Sequence, residues 1–158
     1  MYLVLLMLLL LIFPVASVTT EAALSRHTVD IVFLTGRWVV FWAVGIRLFI
    51  AGARQVLQPQ FTAEQIFGIH DSGSFPIVRE VGFANLSMGF LGICSVLRAG
   101  WILPSAMVGG LYYGLAGAGH IFQKGKNAKE FLAMISDVFV FLVLLVFVLH
   151  DLTSQTGL

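Results

Sequence analysis

Five long apolar stretches constrain the fold of this 158-residue chain more than any other feature. A helix crosses the roughly 30 Å hydrocarbon core of a bilayer with about 20 apolar residues, and about 17 is the lower limit. Backbone polar groups inside lipid must be satisfied within the segment, so each stretch predicts a transmembrane helix. A membrane β-barrel is disfavoured because the stretches lack a two-residue alternation. The stretches are Tyr2–Val18, Ile31–Ala53, Val81–Leu97, Ile102–Phe122 and Phe131–Leu149.

The composition supports a membrane protein. Hydrophobic residues make up 59% of the chain and charged residues 11%, whereas a typical soluble domain has about 25% charged residues. The net charge of +1 gives no reason to expect a nucleic-acid partner. The single cysteine, Cys94, excludes an intramolecular disulfide and a multi-cysteine metal site. We therefore predict an all-α integral membrane helix bundle, with four core transmembrane helices in residues 31–150 after one hydrophobic helix in residues 1–18.

Two segments outside the core admit a closer interpretation. The first stretch ends in small residues as a signal peptide does, but it lacks a basic start. We interpret it as an uncleaved transmembrane helix, and a signal-like segment is the alternative. The longest connection covers residues 56–76, where Phe61–Phe67 predicts a short amphipathic helix lying at the membrane surface.

The basic residues of the short loops predict an orientation, because such residues are in excess on the cytoplasmic side. With five spans, three basic residues fall on the side opposite Met1, namely Arg26, Arg37 and Arg98. Five fall on the side of Met1, namely Arg54, Arg79, Lys124, Lys126 and Lys129. We predict a multi-pass protein of the cytoplasmic (inner) membrane with the Lys124–Lys129 loop in the cytoplasm.

Polar residues inside the spans are the candidate functional residues, because a charge there costs about 2.5–3.5 kcal/mol or more. At a rise of about 1.5 Å per residue, these residues all fall in the half of the membrane on the side of Met1. We predict one polar cluster made of Arg47, Glu80, Asn85, His120 and Asp137. Two interpretations stay open: an ion-pair network that fixes helix order, and a site for a ligand, a proton or a quinone head group.

Small residues at regular spacing predict close helix contacts. Gly45 with Gly52, and Gly82 with Gly89, are seven residues apart on single helix faces. The stretch Ile102–Phe122 is the richest in small residues, which predicts that its helix is central in the bundle. The three tryptophans predict an aromatic belt at the membrane boundary opposite Met1.

Three segments resemble the DoxX-like family of small four-helix membrane proteins. They are "GIRLFIAGARQVLQPQFTAEQIFGI", "REVGFANLSMGFLGICSVLRAGWILPSAM" and "GLAGAGHIFQKGKNAKE". The resemblance covers Trp38 to His150 and points to an uncharacterised branch with an extra amino-terminal helix. It implies a four-helix bundle, and the residues that match positions of the family's motifs are Arg47, Glu80, His120 and Asn127. Named members of that family are associated with quinone-linked sulfur oxidation and membrane redox-stress complexes, but this chain lacks a cysteine pair for thiol exchange.

Three functions are compatible with the sequence. The first is a non-enzymatic accessory module of a membrane complex, whose partners are the bilayer and either another membrane protein or a second copy. The second is a quinone-linked redox subunit in which His120 donates a proton and Asp137 or Glu80 relays it. The third is a small transporter that binds an anion at Arg47, and the lack of repeats disfavours it. No catalytic motif or metal-ligand set is predicted, and quinone is the one cofactor candidate.

Overall fold

The computed structural model describes residues 2–122, Gly125 and residues 127–156, and every regular element in them is a helix. Helix α1 (residues 2–24) consists of Tyr2–Met7, the π-helical turn Leu8–Ile12 and Phe13–Leu24. Helix α2 (residues 31–57) consists of Ile31–Val39, the π-helical segment Val40–Arg47 and Leu48–Leu57. A short helix, α3, covers Pro59–Gln65. The short helix predicted in this connection is therefore present.

The second half of the chain forms three long helices. Helix α4 covers Phe75–Cys94 after a 3₁₀ turn at Ser72–Ser74. Helix α5 covers Ile102–Phe122 after a 3₁₀ turn at Ala99–Trp101, and helix α6 covers Ala128–Thr156. The predicted third span began at Val81, but α4 begins six residues earlier. Pro76 stands in its first turn, where a proline is tolerated because the backbone N–H has no intrahelical partner.

Four of the described helices are long and apolar enough to cross a membrane: Leu3–Leu24, Ile31–Leu57, Ser72–Cys94 and Ala128–Ser154. Helix α5 has 21 residues, a length of about 31 Å that also suffices for a bilayer core. Glycines, two tyrosines and His120 make it less apolar than the other four. The all-α membrane bundle predicted from the sequence is confirmed.

Helix α2 is the centre of the bundle. Its first half packs on α1 and α6, and its second half packs on α4. Helix α5 packs along α6 and also contacts α4 and the π-helical segment of α2. The buried core joins Val40, Val44, Tyr113, Leu144 and Phe147, which come from α2, α5 and α6. Helix α5, which the small residues predicted to be central, contacts three helices, α2, α4 and α6, whereas α2 contacts every other helix of the bundle.

Glycines bring α2 and α4 into backbone contact. A Cβ added at Gly92 would lie 2.6 Å from the Gly45 nitrogen, and one at Gly89 would lie 2.5 Å from the Phe49 nitrogen. A Cβ at Gly52 would lie 2.7 Å from the Gly82 carbonyl oxygen. The predicted glycine stripes on these two helices are confirmed.

Polar side chains attach α1 to α2 at the end of the bundle opposite α3. Glu21 accepts hydrogen bonds from Arg37 at 2.7 Å and from the indole of Trp38 at 2.8 Å. The indole of Trp42 donates to the Ser17 hydroxyl at 3.0 Å. Two of the three tryptophans predicted as a belt therefore also hold α1 in place.

Replacing Glu21 with alanine is expected to lower the free energy of unfolding by about 1 kcal/mol, because two hydrogen bonds are lost at a partly exposed site. Thermal unfolding of the purified protein in a non-ionic detergent measures the change. Glu64→Ala on α3 is the matched control, since no hydrogen bond or ion pair of Glu64 is seen within the described residues. Equal stability of the two variants would show that Glu21 does not hold α1.

Candidate functional site

The polar cluster begins with an ion pair between α2 and α6. Arg47 Nη2 donates to Asp137 Oδ1 at 2.8 Å and to the Ser136 hydroxyl at 2.9 Å. The two charged side chains are 13% and 10% exposed. Ser136 in turn donates to the Ala133 carbonyl at 2.7 Å. Two of the five predicted residues are thus in direct contact, and the pairing compensates charges whose burial is otherwise costly.

A tyrosine of α5 completes this contact. The guanidinium carbon of Arg47 lies 5.0 Å from the centroid of the Tyr113 ring, within the range of a cation–π interaction. The Tyr113 hydroxyl donates to the Ala43 carbonyl at 2.6 Å, inside the π-helical segment that also contains Arg47. Irregular helical turns of this kind are often found at functional sites. One arginine therefore connects α2, α5 and α6.

Asn85 lies on the opposite flank of α2. Its Nδ2 donates to Gln55 Oε1 at 2.7 Å, and both side chains are buried. Asn85 Oδ1 is buried and has no hydrogen-bond partner among the described residues. Asn85 is therefore held by Gln55, a residue that the sequence did not single out.

His120 faces Glu130 across the turn between α5 and α6. His120 Nδ1 and Glu130 Oε1 are 3.9 Å apart, and neither buried atom has a hydrogen-bond partner within the described residues. The other carboxylate oxygen of Glu130 accepts from the Asn127 backbone at 3.3 Å, while Asn127 Oδ1 accepts from the Glu130 backbone at 2.9 Å. This reciprocal pair is a capping box that begins α6.

Asn127 also ties α6 to the connection after α3. Its Nδ2 donates to the Ile66 carbonyl at 3.1 Å, and the neighbouring Lys129 Nζ donates to Gln65 Oε1 at 3.0 Å. The start of α6 and the end of α3 are thus fixed to each other at one end of the bundle.

Asn127→Ala is expected to lower the free energy of unfolding by about 1–2 kcal/mol, because a helix cap and a tertiary hydrogen bond are both lost. Asn127→Ser keeps a capping oxygen but loses the donor to Ile66, so it should recover part of the difference. Chemical denaturation of both variants in detergent gives the two values. Equal loss in the two variants would mean that the cap contributes nothing.

A cavity of about 180 Å³ connects these groups. Arg47, Gln55 and His120 lie at its lining, together with Arg54. Arg54 is exposed, and its guanidinium carbon lies 3.4 Å from the centroid of the Phe61 ring. Residues of α1 and α3 supply apolar walls. Another hollow of about 370 Å³, between α2 and α6, is lined almost entirely by apolar side chains. The smaller cavity is therefore the candidate binding site.

Glu80 does not join the cluster, so this part of the prediction is wrong. Its side chain is exposed, whereas Asn85 on the same helix is buried. The two residues are five positions apart, which is a rotation of about 140° around a helix. The face of α4 that packs on α2 carries Asn85 with Gly82 and Gly89, and Glu80 points away from it.

Four residues of the site escaped the sequence analysis: Gln55, Ser136, Tyr113 as a specific partner, and Glu130. The predicted second span ended at Ala53, which left Gln55 in a connection. The predicted fifth span began at Phe131, which left Glu130 in a loop. The spacing from Asn127 to Glu130 before an apolar run is the signature of a capping box and could have located the true start of α6.

Lys124 and Lys126, which the orientation prediction used, lie outside the described residues. In the part of the chain that is described, no three side chains of His, Cys, Asp or Glu come together as metal ligands would.

The fold and the cavity define a class: a membrane-embedded helix bundle with a buried ion pair and a small cavity that is polar at its inner end. The chain belongs to the family of unknown function DUF6790, whose model matches residues 1–156. The match includes α1 as well as the four-helix core. Neither the curated proteins nor the solved structures contain a match to this chain.

Proposed function

We propose that this membrane protein is a non-enzymatic accessory module that holds a lipid-soluble ligand for a larger membrane complex. The cavity lined by Arg47 is the observation that carries the proposal. Binding sites combine apolar walls with a few well-placed polar groups, and this cavity has both. Its inner end is fixed by the ion pair with Asp137, at 2.8 Å, so the polar groups are pre-positioned before a ligand enters.

Native mass spectrometry of the full chain, extracted gently from its own membrane, tests this proposal. We expect an added mass from a bound ligand, a partner chain or both. Ala51 lines the cavity, so Ala51→Leu should remove the ligand mass by filling the space. Ala53→Leu makes the same change two residues further along α2, outside the lining, and is the control. A bare monomer in every preparation would contradict the proposal.

A quinone-linked redox subunit is the second candidate function. The observation that favours it is that His120 and Arg47, both hydrogen-bond donors for a carbonyl oxygen, line the same cavity. Quinone extracted with the wild-type protein but lost from His120→Ala would support this function. Absence of quinone from the wild-type protein, together with equal binding of an added quinone analogue by the wild-type protein and His120→Ala, would exclude it. The small-transporter hypothesis stays a prediction.

We further propose that the protein resides in the inner membrane with the α3 end of the bundle in the cytoplasm. Arg54, Arg79 and Lys129 lie at that end of the bundle and favour this orientation. A cysteine at Ser72, in a Cys94→Ser background, should react with a membrane-impermeant maleimide only after the cells are opened. Labelling in intact cells would show that the protein has the opposite orientation.

We also propose that α1 is retained in the mature protein and that the chain is related to the DoxX-like proteins. Retention is supported by Leu6 and Leu9 of α1, which are buried at the cavity. Intact-mass measurement of the protein from its own membrane tests retention. A solved structure of a DoxX-like protein with the same helix order would support the relationship.

A further inference from the structure

The side chains of fixed charge that line the cavity are both arginines. Arg47, Arg54 and His120 are among its lining residues, and no aspartate or glutamate is among those described. Asp137 is a carboxylate in contact with a lining residue, and it is already paired with Arg47. Glu130 lies behind His120, where one oxygen serves the cap of α6. Because Asp137 compensates the charge of Arg47, the net positive charge at the cavity comes from Arg54, and this charge favours an anionic group over a cation.

The two arginines lie on the same face of α2, one further along the helix than the other. Seven residues separate Arg47 from Arg54, so they lie on one helix face about 10 Å apart along the axis. Arg54 stands at the exposed outer end over Phe61, and Lys129 Nζ lies 5.6 Å from the centroid of the same ring. An anionic group entering from the α3 end would meet these cations first and then reach Arg47.

The opposite wall of the cavity is apolar and opens to lipid. Leu5 of α1 and Ile50 of α2 line it, and they are 39% and 42% exposed. The volume of about 180 Å³ is smaller than the roughly 300–1,000 Å³ of pockets that enclose whole drug-sized ligands. The cavity therefore accommodates a head group, while an attached chain must leave between α1 and α2.

We infer that the cavity binds the anionic head group, a carboxylate or a phosphate, of a lipid whose alkyl chain runs out past Leu5 and Ile50. This inference rests on the proposed ligand-holding function and names the chemistry of the ligand. Guanidinium groups match carboxylate and phosphate oxygens through paired hydrogen bonds. Arg54 is the residue free to adjust to the head group, because it is exposed and lies outside the ion pair.

Photolabelling of the full chain in phosphatidylcholine vesicles tests the inference. The probe is palmitic acid with a diazirine close to its carboxylate, and mass spectrometry maps the labelled peptides. Labelling should fall in residues 2–24 and 48–57. Unlabelled palmitate and hexadecyl phosphate should compete, whereas hexadecanol and hexadecyltrimethylammonium at the same concentration should not. Arg54→Gln should weaken labelling about tenfold, Arg54→Lys should retain most of it, and the exposed Arg79→Gln should leave it unchanged.

The outcomes separate this inference from the function on which it rests. Equal competition by hexadecanol, or unchanged labelling of Arg54→Gln, would overturn the anionic head group while leaving a ligand-holding module intact. Absence of any label on α1 and α2, together with no ligand mass on the native protein, would overturn both. Competition by added phosphatidylglycerol would support the inference and assign the anion to a bilayer phospholipid. Competition by palmitate alone would support it and assign a free fatty acid.

Discussion

Asp137→Ala is expected to lower the free energy of unfolding by about 3–5 kcal/mol, because it leaves Arg47 charged and buried without its carboxylate. The carboxylate accepts from Arg47 at 2.8 Å, and the two side chains are only 13% and 10% exposed. Ser136 remains as a hydrogen-bond acceptor for the guanidinium, but a hydroxyl does not compensate a full positive charge. Denaturation of the purified protein in mixed micelles measures the loss.

The double variant Arg47→Met with Asp137→Leu decides what the ion pair does. Removing both charges together leaves nothing uncompensated, so most of the lost stability should return. A pair that serves only to fix helix order would leave ligand binding intact in this double variant. If ligand mass is lost while stability is regained, the pair also serves the cavity. A double variant as unstable as Asp137→Ala would contradict the assignment of the loss to an unpaired charge.

Gly89→Ala is expected to be about 1–4 kcal/mol less stable than the matched variant Gly119→Ala. A Cβ at position 89 would lie 2.5 Å from the backbone nitrogen of Phe49 and 2.8 Å from its Cα, so α2 and α4 must separate, at a cost of about 1–3 kcal/mol. At Gly119 an added Cβ meets nothing within 4 Å, and alanine should stabilise the helix by up to about 1 kcal/mol.

Thermal unfolding of both variants in the same detergent measures this difference. Gly92→Ala should behave like Gly89→Ala, because its added Cβ would lie 2.6 Å from the Gly45 nitrogen. Equal melting temperatures for Gly89→Ala and Gly119→Ala would mean that α2 and α4 are not in backbone contact.

The level of a residue along the bundle could be predicted from the sequence, whereas its direction around a helix could not. Counting residues from the loops placed Arg47 and Asp137 at a similar level, and the structure pairs them. The same counting placed Glu80 and Asn85 in the same half of the membrane but ignored the rotation between them, and Glu80 is exposed. A span whose faces both carry apolar residues shows little amphipathic pattern, so its sequence does not reveal which face packs inward.

The sequence also did not reveal which helix has the most neighbours in the bundle. Small residues mark where a helix is approached closely, but they do not tell how many neighbours approach it. On α5 the glycines receive side chains, since a Cβ at Gly109 would meet Val44 and one at Gly117 would meet Val138. On α2, Gly45 and Gly52 lie against the backbone of α4, and other faces of the same helix contact α1 and α6. The number of partners depends on tertiary packing.

The π-helical segment Val40–Arg47 has a consequence for which sequence changes this family can accept. Wider turns delay the rotation of the residues that follow, so the two halves of α2 present differently oriented faces. Deleting one residue there would rotate Arg47 and Arg54 by about 100° relative to Trp38 and Trp42. If one half of α2 kept its contacts with the neighbouring helices, the side chains of the other half would then face the wrong helices. The length of this segment should therefore be fixed more strictly than the identity of its side chains.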